Sequence, residues 1–167
     1  MGNTTATSAD EWNWYERSGH LSVTGFTPQL SSSAANFNWL MTSFIDNTAG
    51  ADQAVVVSSD GVLMAVANLD LRSADRVAAI VTGVRSLSDG ASQLLGKGEL
   101  HRVIVEMRTG YLLVAAIGGG SVLGVVCGKQ CDLGLVSYEM AMVVQRVGHQ
   151  LTPELITELT NLIRSNM

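Results

Sequence analysis

The chain has 167 residues, 47% of them hydrophobic and 15% charged, with a formal net charge of −5. That length suits one domain with short extensions, and so apolar a composition supports a sizeable core and excludes a disordered chain. The acidic balance and the lack of any Lys/Arg run speak against a nucleic-acid groove or an anionic membrane surface, and no stretch approaches the roughly 20 apolar residues of a membrane span. Charge this sparse leaves part of the surface for another subunit or partner to cover.

Residues 1–33 read as a tail rich in Ser, Thr, Gly and Asn, without sustained periodicity. Met1 to Ala9 is polar and lacks the charged-then-apolar order of a signal peptide, so a cytoplasmic protein is expected. Trp12, Trp14 and Tyr15 stand out in this polar segment. They fit either a tail folded over an apolar groove or a docking peptide, since aromatic anchors dominate interfaces.

Ser33 is a candidate N-cap for a first helix, in which Phe37, Leu40, Met41, Phe44 and Ile45 form one apolar stripe. Gln53 to Ser58 reads as a strand, Asp60-Gly61 as a hairpin turn and Val62 to Asn68 as the return strand. A second helix is predicted from about Ser73 to Leu95. Val77, Ile80, Val81, Val84, Leu87, Ala91, Leu94 and Leu95 are its expected core stripe, and Gly96-Lys97-Gly98 stops it.

Three strands follow, Leu100 to Met107, Tyr111 to Ile117 and Ser121 to Cys127. The short turns between them imply an antiparallel meander. Asp132 caps a third helix with Leu133, Val136, Met140, Val143, Val144, Val147 and Leu151 buried. Thr152-Pro153 starts a last helix with its own apolar stripe, Leu155, Ile156, Leu159, Leu162 and Ile163. The methionines Met41, Met64, Met107, Met140 and Met142 read as adaptable core filling. The expected fold class is α/β, in the order α-β-β-α-β-β-β-α, a five-stranded antiparallel sheet with flanking helices and an extra C-terminal helix. The expected division is a tail over 1–33, a domain over 34–151 and a helical extension over 152–167.

No catalytic constellation emerges. Cys127 and Cys131 supply two thiols where zinc wants four ligands, and His20, His101 and His149 show no paired spacing. A phosphate loop would need Gly where Leu123 stands and Ser or Thr where Gln130 stands; Gly118-Gly119-Gly120 reads instead as a hairpin turn. Ser137 lacks the flanking glycines of a nucleophile elbow, and Glu106 and Glu139 read as solvated groups. The expectation is a protein with no cofactor and no enzymatic activity.

The second helix carries an unusual line. Ala79, Gly83, Ser86 and Gly90 recur at steps of four, three and four, which places them on one side. Glycine inside a helix costs about 0.5–1 kcal/mol relative to Ala, so two on one line suggest close approach of another backbone. From Ala74 to Leu95 the only charges are Asp75, Arg76, Arg85 and Asp89. The strand 100–107 opens the meander and is expected at a sheet edge, which invites pairing with another chain. Arg76, Ala79, Gly83, Ser86, Gly90, Arg102, Ile104 and Glu106 are therefore the candidate dimer and partner interface.

This order of elements resembles the roadblock/dynein light chain family across residues 37–151. The phrases that carry the likeness are FNWLMTSFIDNTAGADQAVVVSSDGVLMAVA, DRVAAIVTGVRSLSDGASQLLGKGELHRVIVEM, GYLLVAAIGGGSVLGVV and DLGLVSYEMAMVVQRVGHQL. Asn38-Trp39-Leu40, Ser59-Asp60-Gly61 and Asp132-Leu133-Gly134 look like the actinobacterial branch. The resemblance implies a homodimer joined through the third strand into one continuous sheet, with second helices paired on one face. It implies a non-enzymatic adaptor or regulator that binds a small Ras-like GTPase, in a system that includes a sensor kinase-like protein. A structural scaffold that leaves nucleotide turnover untouched is the main alternative, and a small-ligand sensor ranks last. The tail and the last helix lie outside the resemblance.

Overall fold

The structure, a computed structural model, describes residues 30–167. Helix α1 (Ser32–Asn47) leads into strands β1 (Ala51–Val57) and β2 (Leu63–Ala67), then helix α2 (Leu71–Leu94). Strands β3 (Arg102–Glu106), β4 (Gly110–Ala116) and β5 (Val122–Gly128) follow, then helices α3 (Leu133–Gly148) and α4 (Pro153–Ser165). The strands form one antiparallel sheet in the order β2-β1-β5-β4-β3, so the meander joins the first hairpin through β5 and β1.

Capping follows local chemistry. Asp70 accepts a hydrogen bond from Ser73 N at 3.0 Å and begins α2. Asp132 accepts from Gly134 N and Leu135 N and begins α3, and Thr152 accepts from Leu155 N ahead of Pro153 in α4. These satisfy first-turn N–H groups that have no partner within the helix. The cap of α1 is Ser31 rather than Ser33, with Ser31 Oγ accepting from Ala34 N at 3.2 Å. A tertiary contact selects it: Ser31 N and Oγ both donate to the Glu158 carboxylate of α4, each at 2.7 Å.

Two cores sandwich the sheet. Phe37, Leu40, Met41, Phe44 and Ile45 of α1 and Val136, Met140, Val143 and Val147 of α3 cover one face, as their stripes predict. α2 covers the other, but with Ala74, Ala78 and Val81 as its buried residues. Most of the stripe expected for α2 is not core: Val77 and Val84 are partly buried and Ala91 is exposed, while Ile80 is 55% exposed, Leu87 79%, Leu94 87% and Leu95 66%. The reason is how low α2 sits. A Cβ built on Gly124 of β5 would lie 2.6 Å from Val81 Cγ2, so the glycine lets the helix settle onto the strand. Small residues then fill the contact and the large ones point away. Met107 and Met142 are likewise 45% and 40% exposed, whereas Met41, Met64 and Met140 are core.

α4 packs beside β2, putting Leu155 and Leu159 into the α1/α3 core and Ile163 into the α2 core. It thus wraps one sheet edge and touches both layers.

Candidate functional site: the outer face of α2 and the edge strand β3

The exposed apolar residues of α2 fall on one line. Arg76, Ile80, Gly83, Leu87, Gly90 and Leu94 follow at steps of four, three, four, three and four, and all six are exposed. That is the spacing of a helix-packing seam, in which side chains of one helix settle between those of another. Ala79, Gly83, Ser86 and Gly90 lie alongside, exposed as well, and a Cβ built on Gly83 or Gly90 meets nothing within 4 Å. The glycines therefore have no packing role within the described residues. The sequence pattern reveals the small line but assigns its large neighbours to the core; the seven-residue spacing of Ile80, Leu87 and Leu94, with Gly83 and Gly90 between them, is the signal for the outward seam.

β3 stands at the end of the sheet, paired with β4 from Arg102↔Ala115 to Glu106↔Tyr111. Its alternate residues divide between the faces. Val103 and Val105 pack toward α2. Ile104, on the opposite face, is 47% exposed. Arg102 and Glu106 share the face of Ile104 and are engaged within the chain. Arg102 Nη2 donates to the Ser137 carbonyl of α3 at 3.0 Å, while its buried Nε has no partner among the described residues. Glu106 pairs with Lys129, whose ammonium also lies 4.4 Å from the centre of the Tyr111 ring. The Glu106 hydrogen bond, with smaller help from Tyr111, holds the Lys129 ammonium above its ordinary pKa. This cluster ties the edge strand to β4 and the end of β5, so β3 offers a pre-ordered backbone rather than loose chain.

Of the arginines on α2, the interface candidate Arg76 is exposed, and Arg85 is held in a two-pronged pair with Asp89 at 2.9 and 3.1 Å. A second exposed apolar group, Leu135, Tyr138 and Met142 of α3, lies on the other layer. Trp12, Trp14 and Tyr15 lie outside the described residues.

Cys127 is buried in the α1/α3 core, and burial, with the neighbouring Cys131 thiol, pushes its pKa up to about 12. Such a thiol stays protonated and a poor nucleophile. Among the described residues no group of three or more His, Cys, Asp or Glu is placed to hold a metal, and no helix is long and apolar enough to cross a membrane.

The Roadblock/LC7 domain family matches residues 37–127, more than half of the chain, and the protein belongs to that family. A Roadblock/LC7 domain from Streptomyces avermitilis is 36% identical, with a TM-score of 0.64, covering 66% of this chain and 92% of its own. MglB of Myxococcus xanthus is 20% identical, with a TM-score of 0.61, covering 68% and 93%. The gliding protein MglB from Thermus thermophilus is 16% identical, with a TM-score of 0.65, covering 72% and 92%. At the identities of the two MglB proteins the likeness is one of fold. No curated protein matches the chain.

Proposed function

We propose that this protein is a cytoplasmic, non-enzymatic adaptor that acts as a homodimer and holds a small Ras-like GTPase. The observation that carries the reading is the exposed seam Ile80–Gly83–Leu87–Gly90–Leu94 beside an open sheet edge. Leaving that much apolar surface in water is unfavourable by about 25 cal/mol per Å², and a second α2 laid along the seam removes it. Two β3 edges paired side by side would extend the sheet across both copies. The glycines at 83 and 90 let the helices approach closely, and Ile104 and Arg76 fall at the margin of the joint. The paired helices then form a sparsely charged platform for the partner. The GTPase, and a sensor kinase-like protein in the same system, come from what the family resemblance implies.

Light scattering at micromolar concentration is expected to give twice the chain mass, and a clean monomer would overturn the dimer. Pull-down with candidate small GTPases loaded with GDP or GTP tests the partner. Binding that depends on the nucleotide supports a GTPase adaptor, and binding blind to it supports a scaffold.

A further inference from the structure

The layer opposite α2 carries exposed apolar side chains of its own. Leu135, Tyr138, Met142 and Arg146 follow along α3 at steps of three, four and four, all exposed, and so lie on one side of the helix. Trp39 of α1 is exposed as well. Between the two helices runs a groove of about 270 Å³, walled by Trp39, Leu40 and Phe44 from α1 and by Glu139, Met142 and Arg146 from α3. Small-molecule pockets run to roughly 300–1,000 Å³, so this space suits a bulky side chain better than a ligand. An indole ring and a thioether on its walls suit an aromatic side chain in particular.

The chain carries such side chains itself. Trp12, Trp14 and Tyr15 stand in a polar segment, and each large aromatic has about 150–250 Å² to bury. Residues 1–29 join the described structure at Leu30, directly ahead of α1. Gly50, just past α1, packs against Cys131, just ahead of α3, so the two helices run antiparallel. The chain therefore enters at the Arg146 end of the groove. From Ser32 to Trp39 is roughly 10 Å of helix, whereas residues 16–29 span up to about 50 Å when extended. The aromatics reach the groove from their own chain with length to spare. A segment tethered in this way has an effective concentration on the order of millimolar, which favours it over the same segment of a second copy. Asp10, Glu11 and Glu16 flank the aromatics, and Arg146 offers them an opposite charge at the near end of the groove.

We infer that the groove between α1 and α3 receives the chain's own segment around Trp12, Trp14 and Tyr15, with one aromatic ring seated between Trp39 and Met142. None of the groove's lining belongs to α2 or β3, so the inference stands apart from the adaptor reading.

Replacing Trp12, Trp14 and Tyr15 by Ala in the full chain, followed by amide chemical shifts, tests this. Changes are expected over residues 39–47 and 135–146 and not over 76–94, and the same changes should persist on tenfold dilution. A synthetic peptide of residues 8–18 is expected to bind the triple variant about tenfold more tightly than the native chain, whose own segment competes. Met142→Glu, at an exposed position of the triple variant, is expected to weaken the peptide about tenfold by setting a carboxylate against its acidic flank. Shift changes confined to residues 1–29 overturn the proposal, as do changes centred on 76–94. Changes that fade on dilution overturn it by assigning the segment to a second copy. Equal peptide affinity for the native chain and the triple variant overturns it as well.

Discussion

The two edges of the sheet are treated in opposite ways. At β2, helix α4 lies along the edge and fastens it to both cores through Leu155, Leu159 and Ile163. At β3, nothing among the described residues lies beyond the strand, and its own ion pair with Lys129 and its hydrogen bond to α3 hold it in place. An unpaired edge is a standing invitation to another chain, and a covered edge withdraws it. The molecule thus has a closed end and an open end. The exposed seam of α2 marks its outer surface as a second place for contact.

The largest effect is expected at the closed end. Leu159 is fully buried, so Leu159→Ala removes core atoms and leaves a cavity, costing about 2–5 kcal/mol in chemical denaturation. A loss well under 1 kcal/mol would mean that α4 is a dispensable appendage and that the two edges are alike.

A middle-sized effect of opposite character is expected on the α2 seam. Gly83→Leu places a side chain where nothing stands within 4 Å, and replaces a poor helix former by a good one. The folded monomer gains up to about 1 kcal/mol, while dimerisation weakens about tenfold or more because the helices are held apart. Analytical ultracentrifugation beside a melting curve separates the two. An unchanged dimer would leave the small line facing only solvent.

The smallest effect concerns how the closed end is fastened. Hydrogen bonds from Ser31 Oγ, and then from Ser31 N, hold the Glu158 carboxyl below its ordinary value of 4.5. A carboxylate with a depressed pKa contributes stability that is present above the unfolded value and lost as pH falls through the lower folded one. Acidification from pH 4.5 downward should therefore release this tether. Glu158 is close to solvent, so Glu158→Gln costs only a few tenths of a kcal/mol at neutral pH. The variant should also flatten part of the acid limb of stability below pH 4.5. An acid limb identical to that of the native chain would show that Ser31 and Glu158 do not fasten α4.

Much of the fold was legible because local rules and tertiary demands agree there. The stripes of α1 and α3 are each apolar on one side, so spacing alone identifies the buried face. Asp70, Asp132 and Thr152 cap helices for reasons contained within three residues, although only the last two were recognised as caps. Gly61, with φ of +84°, turns the first hairpin where Asp60-Gly61 predicted it. The position of β3 at an edge followed from the meander.

The candidate site was half legible. The line of small residues is visible to anyone counting steps along α2, but the outward placement of Ile80, Leu87 and Leu94 beside it is shown only by the folded chain. The cap at Ser31 likewise depends on Glu158, which stands 127 residues away. The sequence alone determined that α2 is a helix and that it is apolar; which apolar residues face the sheet was decided by tertiary structure. Helical periodicity reports that a stripe exists, and α2 has two. The choice between them rests on how closely helix and sheet can approach. Gly124 sets that distance, so Ala74, Ala78 and Val81 fill the contact and Ile80, Leu87 and Leu94 are turned outward.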